Sequence, residues 1–162
     1  MSTPIEPRNR LTITEVDGAL ALAGAIDETA ALSGLLARGR GGRLTLDLAG
    51  VTFINSLGVR DWIRLLAAAQ QAGLAVELRR VSEPLVHQLN MIIAARGAAQ
   101  VTSFYAPYAC DACGREESLL LDATAQRERL LRLEPPPMAC PECATPMAFN
   151  DFPERYFSFL ST

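Results

Sequence analysis

The sequence has 162 residues, of which 49% are hydrophobic and 20% charged, and its net charge is −3. This apolar share is sufficient for a packed core and argues against a largely disordered chain. The negative charge supplies no general attraction for nucleic acid or an anionic membrane, and no apolar run approaches the roughly 18 residues that span a bilayer. Because the first ten residues lack the apolar segment of a secretory signal, we expect a soluble, cytoplasmic protein without membrane insertion.

The chain opens with the pattern of a β-hairpin. Alternating apolar residues predict an edge strand over 11–16, the pair Asp17-Gly18 predicts a turn, and the apolar run 19–23 predicts the returning strand. A helix is expected to follow over 30–36. The glycine-rich segment 38–42 lacks the pattern of a phosphate-binding loop and is interpreted as a flexible connection between this helix and the next strand.

The stretch from Leu44 to Leu66 combines a buried strand, a turn and an amphipathic helix. The strand alternates with period two, whereas the apolar residues of the helix recur at helical spacing. The predicted turn carries six residues of which several are small or polar: Gly50, Val51, Phe53, Asn55, Ser56 and Gly58. The start of a helix offers unpartnered backbone N–H groups and a positive dipole, so we expect the functional surface here.

The segment from Asp47 to Val59, DLAGVTFINSLGV, resembles the signature of STAS domains, the sulfate-transporter and anti-sigma-factor-antagonist family, which usually runs DLSxVxFIDSSGL. The resemblance implies an STAS-like mixed β-sheet with helices packed mainly on one face. In family members that act as phosphorylation switches, the hydroxyl residue immediately before the glycine accepts the phosphate. Here Leu57 occupies that position, Asn55 replaces the usual aspartate, and Ser56 lies one place earlier.

The elements after this helix continue to alternate. We predict a strand over 74–78, a helix that begins at Ser82 and closes at Gly97, and a final strand over 101–105. Parallel strands joined by helices need right-handed crossovers and a covered sheet. The residues themselves therefore also predict an α/β domain with a mixed sheet, which we place at 1–106.

Four cysteines form two C-x-x-C pairs, Cys110 with Cys113 and Cys140 with Cys143, and 26 residues separate the pairs. Four thiolates supply the closed tetrahedral shell of a structural zinc site, so we predict one Zn²⁺ per chain in a small zinc-ribbon-like module over 107–162. Metal binding is expected to supply much of the folding free energy of this module. A redox pair, two disulfides and a rubredoxin-like iron site are the alternatives.

Within this module we predict a strand over 117–121 and either a short helix or a further strand over 127–133. A helix starting at Pro153 would carry the aromatic residues of the C-terminus on one face: Phe152, Tyr156, Phe157 and Leu160. This helix either docks on the rest of the protein or binds a partner. Docking is favoured because exposed aromatic patches are uncommon on soluble monomers.

The residues favour binding over catalysis. No motif places a nucleophile beside His87, the single histidine, and the carboxylates are scattered, so we predict that the protein is not an enzyme. The predicted partner-binding residues surround the helix start: Phe53, Asn55, Ser56, Leu57, Gly58, Val59, Arg60 and Trp62. Tryptophan and arginine are enriched at interface hot spots. By resemblance, the partner is an anti-sigma factor with serine-kinase activity or a related signalling ATPase.

Ser56 is interpreted either as a substitute phosphate acceptor or as the N-cap of the helix, and with Leu57 in the usual acceptor position we expect constitutive binding. Two alternative functions stay open: an accessory STAS subunit of a membrane transport complex, and a nucleic-acid-associated zinc ribbon. The second is disfavoured because the arginines of 127–132 lie among acidic residues and form no basic stripe. A homodimer is compatible with the sequence.

Overall fold

The computed structural model describes residues 9–161. The first part comprises β1 (Thr12–Val16), β2 (Ala19–Ile26), a 3-10 helix (Leu32–Arg38), β3 (Arg43–Ile54), α1 (Ser56–Gln71), β4 (Ala75–Arg79), α2 (Glu83–Met91), a 3-10 turn (Ile93–Ala95) and β5 (Gln100–Val101). The second part comprises β6 (Ser103–Ala109), β7 (Glu116–Asp122), α3 (Arg127–Leu131), β8 (Met138–Ala139), β9 (Pro146–Phe149), α4 (Pro153–Tyr156) and a 3-10 turn (Ser158–Leu160).

The first sheet contains five strands in the order β1-β2-β3-β4-β5, and only β1 is antiparallel to its neighbour. The β1–β2 hairpin turns through Asp17 (φ 51) and Gly18 (φ 80), two left-handed residues as in a type I′ turn. The leucines of β3 are at most 1% exposed and belong to the same hydrophobic core as the inner faces of α1 and α2. This arrangement confirms the predicted α/β fold class with a mixed sheet and packed helices.

The strand predicted over 101–105 is divided between two sheets. β5 ends at Val101 on the edge of the first sheet, whereas β6 starts at Ser103 and joins a four-stranded sheet in the order β7-β6-β9-β8. The apolar alternation continues through this segment and gives no sign of the change from one sheet to the other, because periodicity does not identify the strand with which a segment pairs. The predicted boundary after residue 106 falls inside β6, and the division into two domains stays a prediction.

Two helical predictions need correction. The first helix is a 3-10 helix without a side-chain cap, and Asp27 instead accepts hydrogen bonds from the backbone N–H and hydroxyl of Thr29 at 2.9 and 2.6 Å. Ser33 and Gly34 lower the propensity of this short segment for an α-helix. The helix predicted to close at Gly97 already ends at Met91, where the backbone becomes extended.

The C-terminal segment docks on α2, as predicted, although its helix is only one turn long. Tyr156 and Phe157 are each 1% exposed, whereas Phe152 is 69% exposed and does not take part in the predicted buried face. The side chain of Asn90 in α2 donates to the Tyr156 carbonyl and accepts from the hydroxyl of Ser158. These contacts join the two parts of the chain into one continuous core. None of the helices within residues 9–161 has the length and hydropathy required to cross a membrane.

Candidate functional site

The strand-to-helix junction lies at the end of β3, the central strand of the first sheet. The sequence predicted a turn from Gly50 onward, but β3 continues to Ile54, because two register irregularities allow its pairing with β2 to extend as far as Ile26. Gly50 supports this close pairing, since a Cβ atom there would lie 2.6 Å from the Cβ of Ala23. The turn is thereby reduced to a single residue, Asn55.

Asn55 is the N-cap of α1. Its side-chain oxygen accepts a hydrogen bond from the Gly58 N–H at 2.8 Å, and its amide group donates to the Glu28 carboxylate at 2.8 Å. The interpretation of Ser56 as the N-cap is therefore wrong, because it occupies the first helical position. Gly58 is required by close approach, since a Cβ atom there would lie 1.9 Å from the carbonyl oxygen of Ile26. Asparagine in place of the usual aspartate also avoids facing Glu28 with a second carboxylate.

Part of the predicted interface is buried in the core. Trp62 is 1% exposed, and its indole N–H donates to the carbonyl of Ala95 at 2.9 Å. Val59 is 6% exposed and Gly58 is also buried. The prediction that Trp62, Val59 and Gly58 contact a partner directly is wrong, because these residues form the inner side of α1.

The exposed residues of the junction form a smaller surface on the first turns of α1. Leu57 is 43% exposed, and Ser56 and Arg60 are exposed beside it in sequence. The Arg60 guanidinium group donates to the Asp61 carboxylate at 3.0 Å. Phe53 is half-buried on the strand that precedes the junction. We call Ser56, Leu57 and Arg60 the helix-start surface.

Two exposed apolar side chains escaped the sequence prediction. Met91 and Ile93 are each 75% exposed at the end of α2. The turn that begins at Ile93 is tied to α1 by the hydrogen bond between Trp62 and Ala95. Ile93 continues the apolar spacing of α2, and a helix that ran on to Gly97, as predicted, would place it on the buried face. Only the early end of the helix exposes it.

The cysteines lie in two turns of similar geometry. Around Cys110, the Gly114 N–H donates to the cysteine carbonyl, and the cysteine N–H donates to the carbonyl of Arg115, both at 2.8 Å. The turn around Cys140 repeats these two bonds at 2.8 and 2.9 Å. The position after the second cysteine is left-handed in both turns, with φ 74 at Gly114 and φ 60 at Ala144. The two turns therefore hold their cysteine pairs in the same backbone conformation.

The four Sγ atoms lie within 4.8 Å of one another. The distance from Cys110 to Cys143 is 3.5 Å and that from Cys113 to Cys140 is 3.7 Å. A tetrahedral site with metal–sulfur bonds of about 2.3 Å requires sulfur atoms roughly 3.8 Å apart, whereas a disulfide requires about 2.05 Å. Hydrogen bonds from the Thr145 hydroxyl and N–H lower the pKa of the Cys143 thiol to about 6, whereas hydrogen bonds with the other cysteines contribute to raising the pKa of Cys113 to about 12. The cluster is suited to hold one metal ion.

The mixed sheet with its packed helices, together with a glycine-dependent strand-to-helix junction, defines an STAS-like α/β domain. A family model described as "Mlab, STAS domain" matches residues 9–97, which is more than half of the chain. The chain therefore belongs to the STAS domain family, and the resemblance in the segment DLAGVTFINSLGV is confirmed. The comparison with curated proteins gave no match, and neither did the comparison with solved structures. The family membership supports a regulatory fold like that of anti-sigma-factor antagonists.

Proposed function

We propose that this protein is a non-catalytic, cytoplasmic regulator that binds another protein through the helix-start surface. The observation that carries the proposal is Leu57, an apolar side chain 43% exposed on the first turn of α1. In switching members of the family, the corresponding position is the phosphate acceptor that faces the partner. A leucine here accepts no phosphate and adds apolar contact area, so binding is constitutive at this position.

The proposed partner is an anti-sigma factor with serine-kinase activity or a related signalling ATPase. Ser56 is exposed and is the proposed secondary phosphorylation site. A phosphate there would add a charge of about −1.5 to −2 close to the junction, where Glu28 already accepts a bond from Asn55. Accumulated negative charge would weaken contact with an acidic or apolar partner surface. Phosphorylation of Ser56 would therefore act against binding.

The cysteine cluster holds one Zn²⁺ per chain in this proposal. Its four thiols fit a closed tetrahedral shell, which leaves no position for a reactive water and favours a structural role. The ion would join the turn after β6 to the turn between β8 and β9. Elemental analysis of purified protein should find one zinc per chain, and Cys143→Ser should lower that content. Protein without zinc, or with the absorption spectrum of an iron–sulfur site, would contradict the assignment.

The charges around the cysteine cluster give little support to the nucleic-acid alternative. Arg115 pairs with Glu117 at 2.7 Å and with Glu142 at 3.3 Å. Arg132 pairs with Glu134 at 3.4 Å. These arginines already have carboxylate partners, and phosphate contacts would have to replace them. Protein binding at the helix-start surface is the better-supported function.

The test compares two leucines of similar exposure. Leu57→Asp changes the helix-start surface, whereas Leu131→Asp, at a leucine 41% exposed on α3, is the matched control. Tagged wild type and both variants are used for affinity capture from the native cell, followed by mass spectrometry. We expect a signalling ATPase or anti-sigma factor with wild type and Leu131→Asp, and its loss with Leu57→Asp.

A membrane transport complex captured with the same dependence on Leu57 would support the alternative function of an accessory subunit. A partner captured equally well by Leu57→Asp would contradict the proposed surface. Circular dichroism of both variants checks that they fold, since both substitutions lie at exposed positions. The corresponding Ser56→Asp variant tests the proposed effect of phosphorylation, and unchanged capture would contradict it.

A further inference from the structure

A cavity of about 380 Å³ lies where the two parts of the chain meet. The edge strand β5 forms one wall, and the turn between β7 and α3 and the C-terminal segment form the others. The lining includes five apolar side chains, four of them nearly buried, but more of its accessible surface is polar than apolar: Leu78, Leu89, Val101, Phe159 and Leu160. The volume is in the range of sites for small organic molecules, which run from about 300 to 1,000 Å³.

Two arginines, Arg96 and Arg127, line this cavity. Arg96 is half-buried, and its Nε atom donates to the carbonyl of Leu89 at 2.6 Å, which holds its side chain in place. Arg127 lines the cavity from the start of α3. Within residues 9–161, neither guanidinium group forms an ion pair, whereas most of the other arginines do.

The acidic side chain nearest in sequence on the β7–α3 turn already has other partners. Asp122 accepts hydrogen bonds from the backbone N–H groups of Thr124 and Ala125 at 2.9 and 2.8 Å. These bonds hold the carboxylate in the turn, and within residues 9–161 it forms no ion pair with Arg127. The cavity thus combines apolar patches on its walls with two arginines that form no ion pair within residues 9–161.

We propose that this cavity binds a small organic anion whose carboxylate or phosphate group pairs with Arg96 and Arg127. Guanidinium groups suit both anions, because their donors match two oxygen atoms at once. The apolar part of the ligand packs on the side chains of Leu89 and Phe159. Because its walls come from both parts of the chain, a bound ligand stabilises the folded protein as a whole. This site is distinct from the helix-start surface and from the cysteine cluster.

The experiment is isothermal titration calorimetry on the full chain with four probes. Sodium octanoate and octyl phosphate carry both an apolar body and an anion, acetate carries only the anion, and 1-octanol carries only the apolar body. The tested variants are Arg127→Gln and the double variant with Arg96→Gln. Arg132→Gln is the matched control, because Arg132 lies in the same segment but does not line the cavity. Ala99→Phe places a bulky ring in the cavity as an independent test.

We expect saturable binding of octanoate, octyl phosphate or both to the wild type and to Arg132→Gln. The ratio of the two affinities distinguishes a carboxylate from a phosphate ligand. Arg127→Gln should weaken binding at least roughly fivefold, and the double variant and Ala99→Phe should abolish it. The inference is overturned if neither anionic probe binds, if 1-octanol binds as tightly as octanoate, or if the double variant keeps wild-type affinity. Thermal unfolding of each variant, measured in parallel, identifies any variant that fails to fold. If the double variant or Ala99→Phe does not fold, the affinity of Arg127→Gln decides the outcome, because Arg127 is exposed and its substitution should not disturb the fold.

Discussion

Replacement of Gly58 by alanine tests whether the junction depends on close backbone contact. An added Cβ atom would lie 1.9 Å from the Ile26 carbonyl oxygen, whereas Cβ contacts shorter than 3.0 Å essentially never occur and ordinary contact begins at 3.4 Å, so α1 or β2 must move by about 1.1–1.5 Å. Overpacking costs about 1–3 kcal/mol, and we expect the upper end because the obstructing atom belongs to the backbone and cannot change rotamer. The better helix propensity of alanine returns about 1 kcal/mol. The expected net loss in the free energy of unfolding is about 2 kcal/mol.

Urea unfolding followed by tryptophan fluorescence measures this loss. Trp62 is the single tryptophan and is buried on α1 itself, so its emission reports on the helix that Gly58 positions. Gly34→Ala is the control, since an added Cβ atom at Gly34 has no neighbour within 4 Å. The control should remain within about 0.5 kcal/mol of wild type. The reasoning is refuted if Gly58→Ala is as stable as the control.

Three further substitutions or treatments have defined outcomes. Glu77→Gln should cost about 1 kcal/mol at pH 7, because the side chain loses its ion pairs with Arg79 and Arg43. The hydrogen bond from Arg79, followed by that from Arg43, lowers the pKa of Glu77 below 4.5. The ion pairs of Glu77 therefore stabilise the folded protein fully above pH 4.5, and this stabilisation is lost as the pH falls through the pKa of Glu77 in the folded state. The urea midpoints of wild type and Glu77→Gln should accordingly converge at low pH. Asn55→Asp should destabilise the protein by about 0.5–1 kcal/mol at neutral pH. Aspartate caps the helix equally well, but it repels the Glu28 carboxylate and cannot donate the hydrogen bond that the Asn55 amide donates to it. Equal urea midpoints for the two proteins would contradict this. Treatment with a strong chelator should lower the unfolding temperature by at least about 5 °C in scanning calorimetry, and a variant lacking the Cys143 thiol should show little further change.

The local elements could be predicted because their signals come from residues close together in sequence. Each signal depends only on residues a few positions apart: the hairpin at Asp17-Gly18, the alternation of β3 and the amphipathic pattern of α1. The limits of the predictions have the same origin. The alternation around Thr102 runs through a change of sheet, because the choice between β4 and β7 as the pairing partner is a long-range property.

The candidate site was predicted in position but only partly in composition. The sequence predicted Trp62 at a partner surface, whereas in the structure it is buried and donates a hydrogen bond to the carbonyl of Ala95, which is 33 residues away. The same applies to Ile93, whose exposure follows from the end of α2 at Met91. Residue type suggested a hot spot at Trp62, and only packing decided that Leu57 is the exposed apolar residue.

The sequence by itself determined the STAS family through the segment from Asp47 to Val59, and it identified the two cysteine pairs. Both signals are short runs whose chemistry can be recognised without knowledge of the rest of the chain. The tertiary structure decided that Cys110 lies 3.5 Å from Cys143, and that Arg96 and Arg127 line one cavity. These residues are far apart along the chain. The cysteines come together because β6 pairs with β9, and the arginines come together because the second part of the chain packs against the first in one core.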